Sequence, residues 1–190
     1  MQILLIRHGR PETGTGDPDP ALSEIGRAQA RSLADFLSRC GIASILSSPL
    51  RRAMETAAPT SERLGLDVRV VEGLAEADRF SESYLSVEEL RRDPVTWRSF
   101  LADPIGYLGA DPVAFKQAVL ESIELALTGG GERAALFTHG LPINVVLAHT
   151  LCLEKFTHFV PHYCSISRLS GVSLSDLTLI SVNETAFLEL

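Results

Sequence analysis

The sequence predicts an α/β protein: a three-layer α/β/α sandwich with a mostly parallel central sheet and a helical insertion near the candidate active site. Two observations carry this. Apolar runs at residues 3–6, 42–46 and 134–137 lack polar alternation, as strands covered on both faces do. Amphipathic helical stretches separate them with short connections, the rhythm of helices packed on both sides of a parallel sheet.

Taken in order, residues 3–6 form the first strand. Ser23 is the N-cap of a helix whose Ile25, Ala28, Leu33, Phe36 and Leu37 share one half of the surface, and Gly41 stops it. Residues 42–46 are the second strand. Ser48-Pro49 has cap-then-proline order and opens a helix running to about Leu64, before Gly65. Residues 67–71 read as a third strand. The segment 74–110 breaks the rhythm, with polar helical pieces around 87–92 and 95–101 cut by Pro94 and Pro104, and reads as an insertion over one sheet edge, a candidate lid. Asp111-Pro112 opens the next helix, with Phe115, Val119, Leu120, Ile123 and Leu127 on one face and Gly129-Gly130-Gly131 at its end. A strand at 134–138, a helix at 141–151 and strands at 165–169 and 177–182 complete the chain. Residues 1–190 read as a single domain without internal repeats.

Composition bounds the function. The 190 residues are 45% hydrophobic and 22% charged, enough apolar material for a core and too little charge for disorder. Seventeen basic against 24 acidic residues leave −7 at pH 7, which argues against nucleic-acid or anionic-membrane partners. Cys40, Cys152 and Cys164 are odd in number, widely spaced and without a C-x-x-C pair, which suits a reducing compartment. The first apolar run is too short for a signal peptide, and no run approaches the roughly 20 residues that cross a bilayer. A soluble, cytoplasmic protein is expected. Oligomeric state is not written in the sequence.

Ligands of open parallel sheets bind beyond the carboxyl ends of the strands. There the first run delivers Arg7-His8-Gly9-Arg10, the second leads through Ser47-Ser48-Pro49-Leu50 to Arg51-Arg52, and the fourth ends in Thr138-His139-Gly140. Two histidines and at least two arginines thus meet at one edge. The glycine after each histidine permits close backbone approach of a ligand, and Pro142 near a helix start sets orphan N–H groups beside His139, which favours an anion.

These strings, with Leu22-Ser23-Glu24-Ile25-Gly26-Arg27-Ala28 and Ser48-Pro49-Leu50-Arg51-Arg52-Ala53-Met54-Glu55-Thr56, resemble the histidine phosphatase superfamily, also called phosphoglycerate-mutase-like. Four motifs in order cover about the first three quarters of the chain. The resemblance implies that His8 is a nucleophile forming a phosphohistidine, that Arg7, Arg52 and His139 bind the phosphoryl oxygens, and that Glu76 is the proton donor. Guanidinium groups stabilise phosphoryl charge by paired hydrogen bonds, so no metal and no cofactor is expected. A nucleophilic imidazole needs one free lone pair and an acceptor, such as a backbone carbonyl, for its other N–H. A raised pKa would let Glu76 protonate the leaving oxygen.

Neighbours on a helix point about 100° apart, so one of Arg51 and Arg52 enters the site, and the family pattern selects Arg52. For the proton donor, Glu72, Asp78 and Glu82 compete with Glu76, because Ala77-Asp78-Arg79-Phe80 lacks the glycine and tryptophan that often follow this acid in relatives. Arg10 either adds positive potential for a second anionic group or pairs with Glu12. Substrate identity would be read by Arg10, Glu12, Thr13, Arg79, Tyr84 and Gly140, with the insertion. Trp97 and Phe100 read as its apolar underside, with an aromatic pocket wall as the alternative. His158, His162 and Cys164 suit packing better than a metal. The reading is a metal-independent phosphomonoester hydrolase acting on a phosphorylated small molecule, with a phosphoprotein as the other substrate class. The alternatives are a phosphoglycerate-type mutase and a weakly active phospholigand-binding regulatory module.

Overall fold

The computed structural model describes residues 1–84, 86–155 and 159–188. Its elements in chain order are β1 (Gln2–Arg7), α1 (Glu24–Leu37), β2 (Ser44–Ser47), α2 (Arg51–Leu64), β3 (Val68–Val70), α3 (Val87–Leu90), α4 (Pro94–Ala102), α5 (Pro104–Tyr107), α6 (Pro112–Thr128), β4 (Arg133–Thr138), α7 (Gly140–Thr150), β5 (Ile166–Ser170) and β6 (Thr178–Glu184). The strands form one sheet in the order β3-β2-β4-β1-β5-β6. β3, β2, β4 and β1 run parallel, while β5 is antiparallel to β1 and β6 antiparallel to β5.

Side chains of the central strands alternate between two cores. Ile3, Leu5 and Leu136 face Val119, Ile123 and Leu127 of α6 and Ile143, Val146 and Leu147 of α7. Leu4, Ile6, Ile45 and Phe137 face Leu33 and Leu37 of α1 and Ala57 of α2. Both faces of β1 are therefore covered, which is why its sequence shows no polar alternation. The three-layer arrangement and the mostly parallel sheet follow directly.

Local signals place the helices. Ser23 caps α1 by accepting from Gly26 N, and Asp111 caps α6 by accepting from Ala114 N. The expected start of α2 is corrected: the helix begins at Arg51, and its first N–H is capped by the Asp19 carboxylate at 2.8 and 3.0 Å. Ser48 Oγ accepts instead from Leu50 N, one residue ahead of the helix. Asp19 belongs to the turn-rich loop at 13–20, so that loop is tied to α2.

Between β3 and α6 the chain forms α3, α4 and the unanticipated α5. Phe100 and Ile105 are buried with Leu90, Ala77 and Leu141, and Trp97, Leu108 and Phe115 pack around them. This cluster seats the segment on the start of α7, beside the carboxyl ends of β1 and β4. None of the described helices is long and apolar enough to cross a membrane.

Candidate active site

Parallel β1 and β4 end in register, Arg7 opposite Thr138. The next residue on each chain is a histidine, and the two rings lie 5.0 Å apart, tilted by 53°. His8 N–H donates to Thr138 O at 2.9 Å, so the sheet itself fixes one histidine against the strand that carries the other.

His8 is 2% exposed. Its Nδ1 lies 2.8 Å from Gly9 O, a carbonyl that can only accept, so the ring proton sits on Nδ1 and Nε2 keeps its lone pair. Burial, reinforced by the charges of Arg52 and Arg7, holds its pKa well below the ordinary imidazole range. The residue is a neutral base with one free nitrogen.

His139 is fully buried, and the same causes, burial first, lower its pKa well below the ordinary value. Its Nε2 is 2.8 Å from Ser48 Oγ, which already accepts from Leu50 N. A Ser48 hydroxyl proton donated to Nε2 puts the imidazole proton on Nδ1.

Both guanidinium groups are buried. Arg7 donates to Pro161 O, and the Tyr163 ring lies 4.0 Å from its guanidinium carbon. Arg52 donates to both oxygens of Asp78, at 3.0 and 3.3 Å, and carries the Tyr84 ring at 4.7 Å. Arg51 points away and pairs with Glu55 at 2.8 Å. Three buried nitrogens, Arg7 Nε, Arg52 Nε and His139 Nδ1, have no hydrogen-bond partner among the described residues. Unsatisfied buried donors are costly, and an oxyanion is the ligand that satisfies several at once.

Glu76 follows the short turn Glu72–Leu74 and reaches the start of α7, where its Oε2 accepts from Leu141 N at 3.1 Å; its Oε1 accepts from Ala77 N. Thus a carboxylate occupies one of the orphan N–H groups expected near Pro142. Burial, and next the charge of Asp78, raise the Glu76 pKa to about 7. Of its competitors, Glu72 pairs with Arg79, Asp78 is engaged with Arg52, and Glu82 lines only the adjoining cleft, away from His8.

A cavity of about 260 Å³ opens over these groups, lined by Arg7, His8, Arg52, Glu76, Asp78, Tyr84 and Gly140 and by apolar side chains of the 87–108 segment. His139 is not on the lining; its ring lies behind, 5.0 Å from that of His8, with Nδ1 unpartnered among the described residues. The expected substrate-reading set divides here. Tyr84 and Gly140 are on the wall, but Arg10, Glu12 and Thr13 are exposed outside it. The Arg10 backbone donates to Gln29 Oε1 and accepts from Ser23 Oγ, which ties this residue to α1. Arg79 is held by Glu72 and faces the neighbouring cleft.

The reason for glycine after His8 is also different from the expectation. A Cβ on Gly9 would fall 2.8 Å from Gly26 O, so the residue serves close packing of the loop on α1. At Gly140 the nearest atom would be Glu76 Oε2 at 3.7 Å, an ordinary contact. Sequence reasoning missed Tyr163, whose hydroxyl donates to Glu88 Oε2 at 3.0 Å and whose ring is 5.6 Å from His8. It also missed the Ser48–His139 contact. No group of three or more His, Cys, Asp or Glu side chains among the described residues is arranged to hold a metal ion. His158 lies outside the described residues.

Two buried imidazoles, two buried guanidinium groups and a buried carboxyl group thus meet at one edge of an α/β sheet. The family model for the histidine phosphatase superfamily (branch 1) matches residues 3–183, and the chain belongs to that superfamily. Phosphoserine phosphatase 1 of Hydrogenobacter thermophilus is 33% identical over 183 residues, covering 92% of this chain and 79% of that protein. A bifunctional protein of Mycobacterium tuberculosis is 38% identical over 109 residues, which is 54% of this chain and 30% of the relative's own length. Mycobacterial glucosyl-3-phosphoglycerate phosphatase, solved in complex with VO3, superposes with a TM-score of 0.77 at 27% identity, covering 97% of this chain and 99% of that one.

Proposed function

We propose that this chain is a metal-independent phosphomonoester hydrolase acting through a phosphohistidine on His8. The observation that carries the reading is a neutral buried imidazole with a free Nε2, set beside two buried guanidinium groups and a carboxyl group whose pKa of about 7 keeps it largely protonated below neutrality. Superfamily membership and two phosphatases among the similar proteins support it.

Each group has one task. His8 Nε2 attacks phosphorus while the bond to the ester oxygen breaks, and Glu76 gives that oxygen its proton, so the alcohol leaves neutral. Arg7, Arg52 and the Nδ1–H of His139 hold the equatorial oxygens, where charge is spread in the transition state. Water then attacks the phosphohistidine, passes a proton to the Glu76 carboxylate, and the P–N bond breaks. Inorganic phosphate leaves, and both residues return to their starting protonation. Permanently charged guanidinium groups supply what a divalent cation supplies elsewhere. The three free cysteines, with Cys164 buried, support a cytoplasmic location.

The substrates named for the similar phosphatases are phosphorylated small molecules, and a cavity of about 260 Å³ has room for a group of that size. Incubation with an aryl phosphate under a metal chelator tests the reaction class. Rapid release of inorganic phosphate is the expected result. Phosphate exchange between glycerates without release would make the chain a mutase, and binding without turnover would make it a phospholigand module.

A further inference from the structure

The cavity above His8 changes character within one side-chain length. Its floor is charged, but its walls are Val87, Leu90, Trp97, Phe100, Leu141 and Phe159. Trp97 and Phe100 stack with centroids 5.4 Å apart. The polar side chains that remain near the floor are the carboxyl groups of Glu76 and Asp78 and the Tyr84 hydroxyl. Asn144 is committed to Gly140 O and Phe159 O. Beyond Arg7 and Arg52, the one cationic side chain on the described wall is Arg91, an exposed residue whose guanidinium lies 4.9 Å from the Trp97 ring centroid.

We propose that the alcohol half of the substrate is apolar: the site takes alkyl or aryl phosphates in preference to phosphorylated hydroxy acids or sugars. This rests on the hydrolase reading above and adds the substrate class. A second carboxylate or a row of hydroxyls placed against this wall loses its water and finds few donors there. An apolar group loses nothing on leaving water and fills space between aromatic faces. The side chains that the sequence marked as the insertion's underside thus double as the wall that grips the leaving group.

The test is the dependence of kcat/KM on chain length for ethyl, butyl and hexyl phosphate, measured beside glycerol 1-phosphate and 3-phosphoglycerate. Hexanol is a poorer leaving group than glycerol, so intrinsic reactivity ranks these esters the other way. The expected result is a rise of about two- to fourfold per methylene, with hexyl phosphate at least about tenfold above glycerol 1-phosphate. Trp97→Ala and Phe100→Ala each flatten the slope. The slope is a ratio within one preparation, so a fraction of misfolded variant does not alter it. A flat or falling series, or preference for 3-phosphoglycerate, overturns the substrate class while phosphate release keeps the hydrolase reading intact. Failure to hydrolyse any of the five esters overturns both.

Discussion

Two carboxyl groups two residues apart do opposite work. Glu76 is kept protonated near neutrality by burial and by Asp78, whereas Asp78 is bound to the Arg52 guanidinium. Protonated Glu76 is the active acid, so kcat/KM holds below about pH 7 and falls about tenfold per unit above it. Glu76→Gln should lower kcat and remove that limb. Asp78→Asn removes a negative neighbour, which lowers the Glu76 pKa and moves the limb to lower pH; a limb that stays in place or moves upward contradicts this. The two adjacent arginines separate equally sharply. Arg52→Ala should cost roughly a hundred- to a thousandfold in kcat/KM, while Arg51→Ala, at an exposed pair, should leave the denaturation midpoint and turnover near wild type. Ser48 is a positioning residue for His139: Ser48→Ala strands the buried Leu50 N–H and His139 Nε2, so it should lower kcat and cost about 1–3 kcal/mol of stability, and Ser48→Thr, which keeps the hydroxyl, should recover part of both. His8, Arg7, Arg52 and His139 were legible because each sits in a contiguous string. Tyr163, the Asp78–Arg52 pairing and the Ser48 contact were not, because what defines them is a partner distant in the chain.

At the scale of elements, the loop after β1 is pressed onto the start of α1. A Cβ on Gly26 would lie 2.0 Å from Arg10 O, with backbone rather than a flexible side chain as the obstacle. Gly26→Ala should therefore destabilise by about 1–3 kcal/mol and displace the turn that follows His8, lowering kcat as well; a chemical denaturation midpoint equal to wild type would sink that account. Most elements could be read from periodicity and caps, because β1, β4 and α6 bury continuous or one-sided apolar patterns. The start of α2 could not, since its cap is Asp19, 32 residues away. Nor could the direction of β5 and β6, whose antiparallel pairing depends on the path of the connections. The short α5, buried by Ile105, was hidden by the prolines that frame the segment.

For the whole molecule, sheet order is what assembles the chemistry. The order β2-β4-β1 sets three carboxyl ends side by side, and residues 7–8, 48–52 and 138–140 converge there although up to 131 positions separate the paired strands. A net charge of −7 coexists with a local cluster of buried cations, which governs binding more than the total does. The central claim is that His8 Nε2 carries the phosphoryl group between ester and water. Rapid quenching during turnover, followed by peptide mapping, tests it most directly. The account predicts an acid-labile, base-stable phosphate on His8 that forms within the first turnover and is absent in His8→Ala, which releases no phosphate. Full hydrolysis by His8→Ala, or the label on another residue, would contradict it.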